Sequence, residues 1–230
     1  MKEFCQSSLF FGAFISLISY AVGLFLKKKL KLAIFNPLLI AIGLTIGFLL
    51  IFDIDYPTYE KSAKYVSYLL TPATVSLAIP LYEQFEMLKK NWKALLCGML
   101  SGVLASMLGV LGFAVLFRLD HASYVTLLPK SITTAIGMGV SEEMGGYVAI
   151  TVAIIIITGI IGNIFAEIIC KVFKITEPAA VGIAIGSSSH AMGTARAMEI
   201  GEVEGAMSSL SIVVSGLLTV LGAMLFQHFI

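Results

Sequence analysis

Long apolar blocks separated by short charged clusters set the limits on what this chain can become. The blocks lie at about 9–26, 32–52, 65–82, 94–117, 122–140, 147–170, 178–200 and 206–229. A membrane crossing needs about 20 mostly apolar residues, so most of these blocks are long enough to cross once. Only 13% of the 230 residues are charged and 58% are apolar, where a soluble domain carries about 25% charge. Mean hydropathy is +0.97. That pattern excludes a soluble globular domain, a disordered chain and a coiled coil. It predicts an all-α integral membrane protein of about seven transmembrane helices plus a re-entrant or broken hairpin, with no room left for a soluble domain.

Several function classes fall away at once. Net charge is +1, and no basic stripe interleaved with aromatics suggests nucleic acid. Cys5, Cys97 and Cys170 are odd in number, lie in or beside apolar blocks and show no CxxC spacing. They predict free thiols, with no disulfide framework and no zinc site. No phosphate-binding loop or metal-ligand spacing is present, so no cofactor or metal is expected. No G-x-S-x-G surrounds Ser187–Ser189 and His190, and residues adjacent in sequence rarely form a serine–histidine pair, so an enzyme is not expected. The first block lacks a small-x-small site before its lysines, which argues for a retained helix over a cleaved signal peptide.

Two segments depart from simple crossings. Residues 122–140 are divided by Pro129-Lys130-Ser131, and neither half is long enough to span. Residues 178–200 break at Gly186-Ser187-Ser188-Ser189-His190. A third interruption, Thr71-Pro72-Ala73-Thr74, divides the block after the polar loop at 53–64. Lysines set the orientation. Lys27, Lys28, Lys29 and Lys31 place their loop in the cytoplasm and the N-terminus outside. Lys89, Lys90 and Lys93 return to the cytoplasm after two crossings. Lys171 and Lys174 are cytoplasmic only if the Pro129 segment dips in and returns, which predicts a re-entrant hairpin there. Counting 178–200 as one crossing then puts the C-terminus in the cytoplasm. Irregular backbone at that depth is tolerated only against protein or a water-filled cavity.

The halves overlay with a shift of about 115 residues, which would make them inverted repeats, at about 1–118 and about 119–230, of one membrane domain. Ile42, Ile46 and Gly47 fall on Ile157, Ile161 and Gly162, and the break at 71–74 falls on 186–189. At a nearly equal shift Ser101, Gly102 and Leu104 fall on Ser215, Gly216 and Leu218. Interrupted segments at matching places in two inverted halves are a pointer to a transporter's binding site.

Polar residues in these segments need a reason, because a charge at a helix centre in lipid costs about 2.5–3.5 kcal/mol on insertion scales. Lys130, His190, Arg196 and Glu199 stand in or beside the breaks, as do the hydroxyls of Thr71, Thr74, Ser76, Ser131, Thr133, Thr134, Ser187, Ser188, Ser189 and Thr194. Cations, hydroxyls and half-helix N-termini together suit a small anion with hydroxyl or keto oxygens. Plainer roles compete with each. Lys130 can snorkel to an interface, Arg196 can pair with Glu199 three residues on, and His190 can pack helices by a hydrogen bond. The hydroxyls can satisfy backbone freed at the breaks, and Glu167 with Lys171 reads as an interfacial pair.

Four stretches carry a family likeness. Asn36-Pro37-Leu38-Leu39, TPATVSLAIPLY at 71–82, LPKSITTAIGM at 128–138 and GSSSHAMGTARAMEIGEVEGAMSSL at 186–210 resemble the LrgB/CidB family, in the expected order and over nearly the whole chain. Ala135 stands where many members have proline. The resemblance implies a bacterial inner-membrane protein and two accounts of function. One is an antiholin-like modulator of murein hydrolase activity and autolysis, working with a separate LrgA/CidA-like membrane protein. The other is a carrier of small monocarboxylates of the pyruvate, glycolate or glycerate class, a reading shared with a plastid member. The residue pattern favours the carrier, working by alternating access. A homo-oligomer stays open.

Overall fold

The computed structural model describes residues 8–30, 36–76 and 78–230, and these are helical throughout with no strand among them. They fall into two compact units, Met1–Ser76 and Leu77–Ile230. Among the described residues four helices are long and apolar enough to cross a membrane: Phe11–Leu30, Lys89–Phe117, Val148–Val172 and Glu202–Phe229. The chain is a multi-pass, all-α integral membrane protein.

The first unit holds α1 (Phe11–Leu30), α2 (Pro37–Ile51), α3 (Tyr56–Ser67) and α4 (Leu70–Ser76). Asn36 caps α2, its side chain accepting from the Leu38 and Leu39 amides, with Pro37 supplying a preset first turn. α1 and α2 are antiparallel: Gly23 abuts the Pro37 backbone at one end, and Phe11 packs on Phe48 at the other. α3 replaces the polar loop expected at 53–64. Asp55 caps it through the Thr58 amide, and Ser62 Oγ accepts from the Gly12 amide at 2.7 Å, so one face of a polar segment is tied to α1. The block expected at 65–82 divides among α3, α4 and α5 (Ala78–Glu83), none of them long enough to span.

In the second unit α5 is followed by α6 (Phe85–Phe117), α7 (His121–Leu127), α8 (Thr134–Glu143), α9 (Val148–Val172), α10 (Pro178–Ile200) and α11 (Glu202–Phe226). At 1.5 Å per residue the 33 residues of α6 span about 50 Å, so its lysine-bearing first turns project past the roughly 30 Å hydrocarbon layer. α6 and α11 run in the same sense. Leu95 and Met99 pack with Ala206 and Met207, Met107 with Ala223, and Val110 and Ala114 with Phe226 and Ile230.

The expected re-entrant hairpin is present. Asp120 stands at the N-cap position of α7, and the Ser123 hydroxyl bonds its carboxyl and lowers its pKa. α7 descends from the C-terminal end of α6, where Tyr124 and Val125 pack on Val110 and Ala114 and Tyr124 Oη donates to the Phe226 carbonyl at 2.9 Å. The turn at 128–133 reaches the depth of Ser106, whose Oγ is 3.2 Å from Ser131 Oγ. α8 then climbs back past α11: a Cβ on Gly216 would stand 3.3 Å from Ile136 Cδ1, and Val140 meets Ala223. α9 is anchored to this hairpin by Thr151, whose hydroxyl lies 3.0 Å from the Thr126 carbonyl and 2.7 Å from Ser141 Oγ.

Residues 178–200 are a second hairpin, where a broken crossing was expected. His190 has φ 44° and ψ −141° inside an otherwise helical run, and that one residue reverses the chain. A Cβ on Gly193 would stand 2.9 Å from Ile185 Cγ2, although eight residues along a continuous helix are about 12 Å apart. The first leg, 178–189, runs with α11: Gly182 abuts Glu204 and Met207, and Gly186 abuts Ser208 and Ser211. The second leg, 191–200, runs back beside α9, with Asn163 Nδ2 donating to the Met192 carbonyl at 2.7 Å. The reversal removes one crossing. Ile230 therefore lies at the end of the unit that holds His121, whose Nδ1 is 2.6 Å from the Ile230 carbonyl, and opposite the lysine-bearing start of α6. The cytoplasmic C-terminus expected from counting 178–200 as a crossing is thereby corrected, relative to Lys89, Lys90 and Lys93.

Candidate functional site

The two hairpins enter the second unit from opposite ends and point at each other. On α6, Gly102 faces Ser187 (3.0 Å from a built Cβ to Oγ) and Ser106, one turn further, meets Ser131. On α9, Ile155 touches both hairpins: its carbonyl accepts from His190 Nε2 at 3.0 Å, and its side chain fills the space beside Gly137 of α8. The segments flagged in the sequence at 128–134 and 186–194 thus approach one another along α6 and α9.

Within this region the residues divide. Lys130 is half-buried, and its Nζ donates to Ser131 Oγ at 3.0 Å. Among the described residues no carboxylate lies within ion-pair distance of it. Thr133 is the N-cap of α8 but makes no side-chain capping bond, leaving the first amides of Thr134, Ala135 and Ile136 without a helical acceptor. Position 135 is in the first helical turn, where proline and alanine are both accommodated. Ser187 Oγ bonds the Ile183 carbonyl and Ser188 Oγ the Ala184 carbonyl, both at 2.7 Å, and Ser188 and Ser189 hydroxyls are 3.0 Å apart. Thr194 Oγ1 lies 3.0 Å from the His190 carbonyl and 2.7 Å from Ser208 Oγ. These hydroxyls hold backbone and neighbouring helices in a segment that the turn leaves short of hydrogen bonds.

Arg196 lies away from the tips, on the returning leg. Its guanidinium bonds Glu167 of α9 and, at 2.6 Å, Glu199; Lys171 Nζ bonds Glu167 at 2.7 Å. Two cations face two carboxylates, so the cluster is neutral and clamps the second hairpin to α9. Ser76 is exposed and bonds the Ala73 carbonyl. Thr71 and Thr74 lie in α4 of the first unit, and their side chains are outside the described residues.

Sequence reasoning passed over a polar seam on α11. Ser208, Ser211, Ser215 and Thr219 are all buried, at the 3- and 4-residue spacing of one helix face. That spacing within an apolar block was the available signal. Ser215 Oγ has no hydrogen-bond partner among the described residues. Ser106 and Thr151 were missed for the same reason, being single hydroxyls in apolar helices. A groove of about 660 Å³ runs along α6 and the first leg of α10, from Asn91 and Glu177 at one end to Gly102, Ala105 and Ser187 at the other.

Opposed re-entrant hairpins packed between membrane-spanning helices define a multi-pass membrane protein whose irregular backbone is buried in protein, as hydrocarbon requires. The particular group is set by comparison with known proteins. The LrgB-like family model matches residues 16–229, and the chain belongs to that family. It is 38% identical, over 96% of each chain, to the antiholin-like protein LrgB of Bacillus cereus (strain B4264), and equally to that of Bacillus anthracis (strain CDC 684 / NRRL 3495). No solved structure matches it.

Proposed function

We propose that the chain is an antiholin-like protein that restrains murein hydrolase activity and autolysis together with an LrgA/CidA-like membrane partner. The support is near full-length likeness to proteins carrying that name. The membrane is taken to be the bacterial inner membrane, with Lys89, Lys90, Lys93, Lys171 and Lys174 cytoplasmic and Ile230 outside. Deleting the gene should raise detergent-induced autolysis and murein hydrolase activity, and supplying the chain with its partner should restore both. Unchanged autolysis in the deletion strain refutes this role.

A second reading is favoured by one observation, two opposed re-entrant hairpins of which one carries at its tip a lysine with no carboxylate in ion-pair distance among the described residues. In that reading the protein is a carrier of small monocarboxylates of the pyruvate, glycolate or glycerate class. It works by alternating access and makes or breaks no covalent bond. A simple pore has no need of paired hairpins from opposite sides, and transporter sites form where broken helices meet at the midplane. The inverted repeats at about 1–118 and about 119–230 belong to this reading. Purified protein in liposomes should take up at least one of these acids above empty vesicles. Uptake of none removes the carrier reading for them, and release of dye without selectivity replaces it with a pore.

A further inference from the structure

We propose that the first hairpin's tip is a monocarboxylate site, in which Lys130 Nζ and the hydroxyls of Ser131 and Ser106 hold the carboxylate; this rests on the carrier reading. Four observations lead there. Of the cations flagged at the breaks, Arg196 is neutralised by Glu167 and Glu199, and His190 is committed to the Ile155 carbonyl. Among the described residues Lys130 is bonded only to a hydroxyl. Its partner Ser131 is buried and reaches Ser106 on the facing helix, so ammonium and two hydroxyls form one connected donor set. The uncapped start of α8, three residues beyond, adds amides and partial positive charge to the same tip.

Access is the fourth observation. The groove along α6 ends at Gly102 and Ala105, and Ser106 continues the Gly102 face one helical turn deeper. At about 660 Å³ it falls in the roughly 300–1,000 Å³ range usual for ligand clefts. It opens toward the end of the unit that carries Asn91 and Glu177. The opposite end is closed by Tyr124, Val125 and Leu128 packed on Val110 and Ala114. From α11, Ser215 brings an unpartnered buried hydroxyl to the depth of the tip, since its neighbour Gly216 abuts Ile136.

The charge count sets selectivity. One uncompensated cation neutralises one carboxylate, whereas a dicarboxylate brings a second negative charge into a site of low dielectric with no cation left to meet it. A bound monocarboxylate cancels the charge of Lys130, and a bound dicarboxylate reverses it.

The test uses the full chain reconstituted in liposomes, with radiolabelled pyruvate and glycolate as probes and malonate as competitor. Lys130→Gln should lower the initial rate at low substrate by about tenfold or more, because a charge-assisted bond is lost. Lys130→Arg should recover most of that rate. Ser106→Ala should raise the half-saturating concentration about threefold to tenfold with the maximal rate kept. Malonate should compete at least about tenfold more weakly than unlabelled pyruvate. Lys89→Gln, on the exposed start of α6, should transport as the parent does.

If the parent chain moves neither probe, the carrier reading fails for pyruvate and glycolate and this site with it. If the parent transports and Lys130→Gln matches it, the site is wrong and the carrier reading stands. Gel filtration of each variant reports folding. Should Lys130→Gln aggregate, Ser106→Ala and the malonate arm decide: unchanged half-saturation or equal competition by malonate overturns the site.

Discussion

Replacing Gly186 by alanine tests the hairpin packing most sharply. The first leg of α10 lies against α11 so closely that a Cβ at Gly186 would stand 2.8 Å from Ser208 Cα and 2.8 Å from Ser211 Cβ, and closer still to the Ser208 carbonyl oxygen. Ordinary contact begins near 3.4 Å, and backbone atoms cannot rotate aside. α11 must therefore shift outward, which also strains the 2.7 Å bond between Thr194 and Ser208. Overpacking costs about 1–3 kcal/mol, here about 2–3 kcal/mol because the obstructing atoms are backbone, offset by the gain of about 1 kcal/mol from removing a helical glycine. The net loss is about 1–2 kcal/mol, which for a unit of this size lowers Tm by roughly 2–8 °C. Gly109 on α6 is the control, since a Cβ there meets nothing within 4 Å. Gly109→Ala keeps only the helix gain and should raise Tm by about 1–4 °C. Melts of the full chain in one detergent compare the two. If Gly186→Ala melts at or above the parent, or both variants shift alike, the close helix approach inferred here is wrong.

Other substitutions probe the remaining joints. His190→Gly should be less destabilising than His190→Ala by about 1 kcal/mol, because glycine accepts φ 44° while alanine does not; equal melts refute a strained turn. Thr151→Val strands the buried Thr126 carbonyl and Ser141 hydroxyl and should cost about 1–3 kcal/mol, read from the same melts. Arg196→Ala leaves Glu167 and Glu199 facing each other beside a single lysine. It should destabilise the fold more than Lys171→Ala does, and uptake per folded protein unchanged from the parent would remove Arg196 from any substrate site. A reporter fused after Ile230 should read the same side as one inserted at 118–120 and the opposite side from one at 173–176; the reverse pattern would mean that 178–200 crosses the membrane after all.

What could be read from the residues was the presence of each break, and what could not was its direction. Residues 122–140 are divided at Pro129 into halves too short to span, and the side assigned to Lys171 and Lys174 favoured a return. Residues 178–200 number 23, enough to cross, and nothing in their composition separates a kinked crossing from a hairpin. The decision lies in the backbone of His190 and in glycines at 182, 186 and 193 that let two legs and α11 approach. A non-glycine residue at the reversal gave no warning. The polar loop expected at 53–64 became α3 because its cap, Asp55, and its buried face, Ser62, act through tertiary contacts with α1. Both charge pairs expected from helical spacing, Glu167 with Lys171 and Arg196 with Glu199, are present, and only the link between them was not legible. Glu167 also takes Arg196, a residue far along the chain.

That pairing changes which charges are free to act. Before the fold is known, Lys130, His190, Arg196 and Glu199 look alike, as costly polar residues near breaks. The fold sorts them by whether their cost is already met. Arg196 and Glu199 meet each other and Glu167 at the end of a leg, where the cluster fastens the second hairpin to α9. His190 meets the Ile155 carbonyl of α9. Among the described residues Lys130 meets one hydroxyl, that of Ser131, which in turn reaches Ser106. A cation buried in the membrane with no counter-charge costs about 2.5–3.5 kcal/mol of insertion free energy. An arrangement that served only to regulate a partner through its outer surface would gain by replacing it with an apolar residue. The antiholin-like and carrier readings therefore make opposite demands on one side chain. If Lys130→Met preserves autolysis control, the two activities are separable; if it abolishes both uptake and control in a protein that still folds, regulation runs through the substrate.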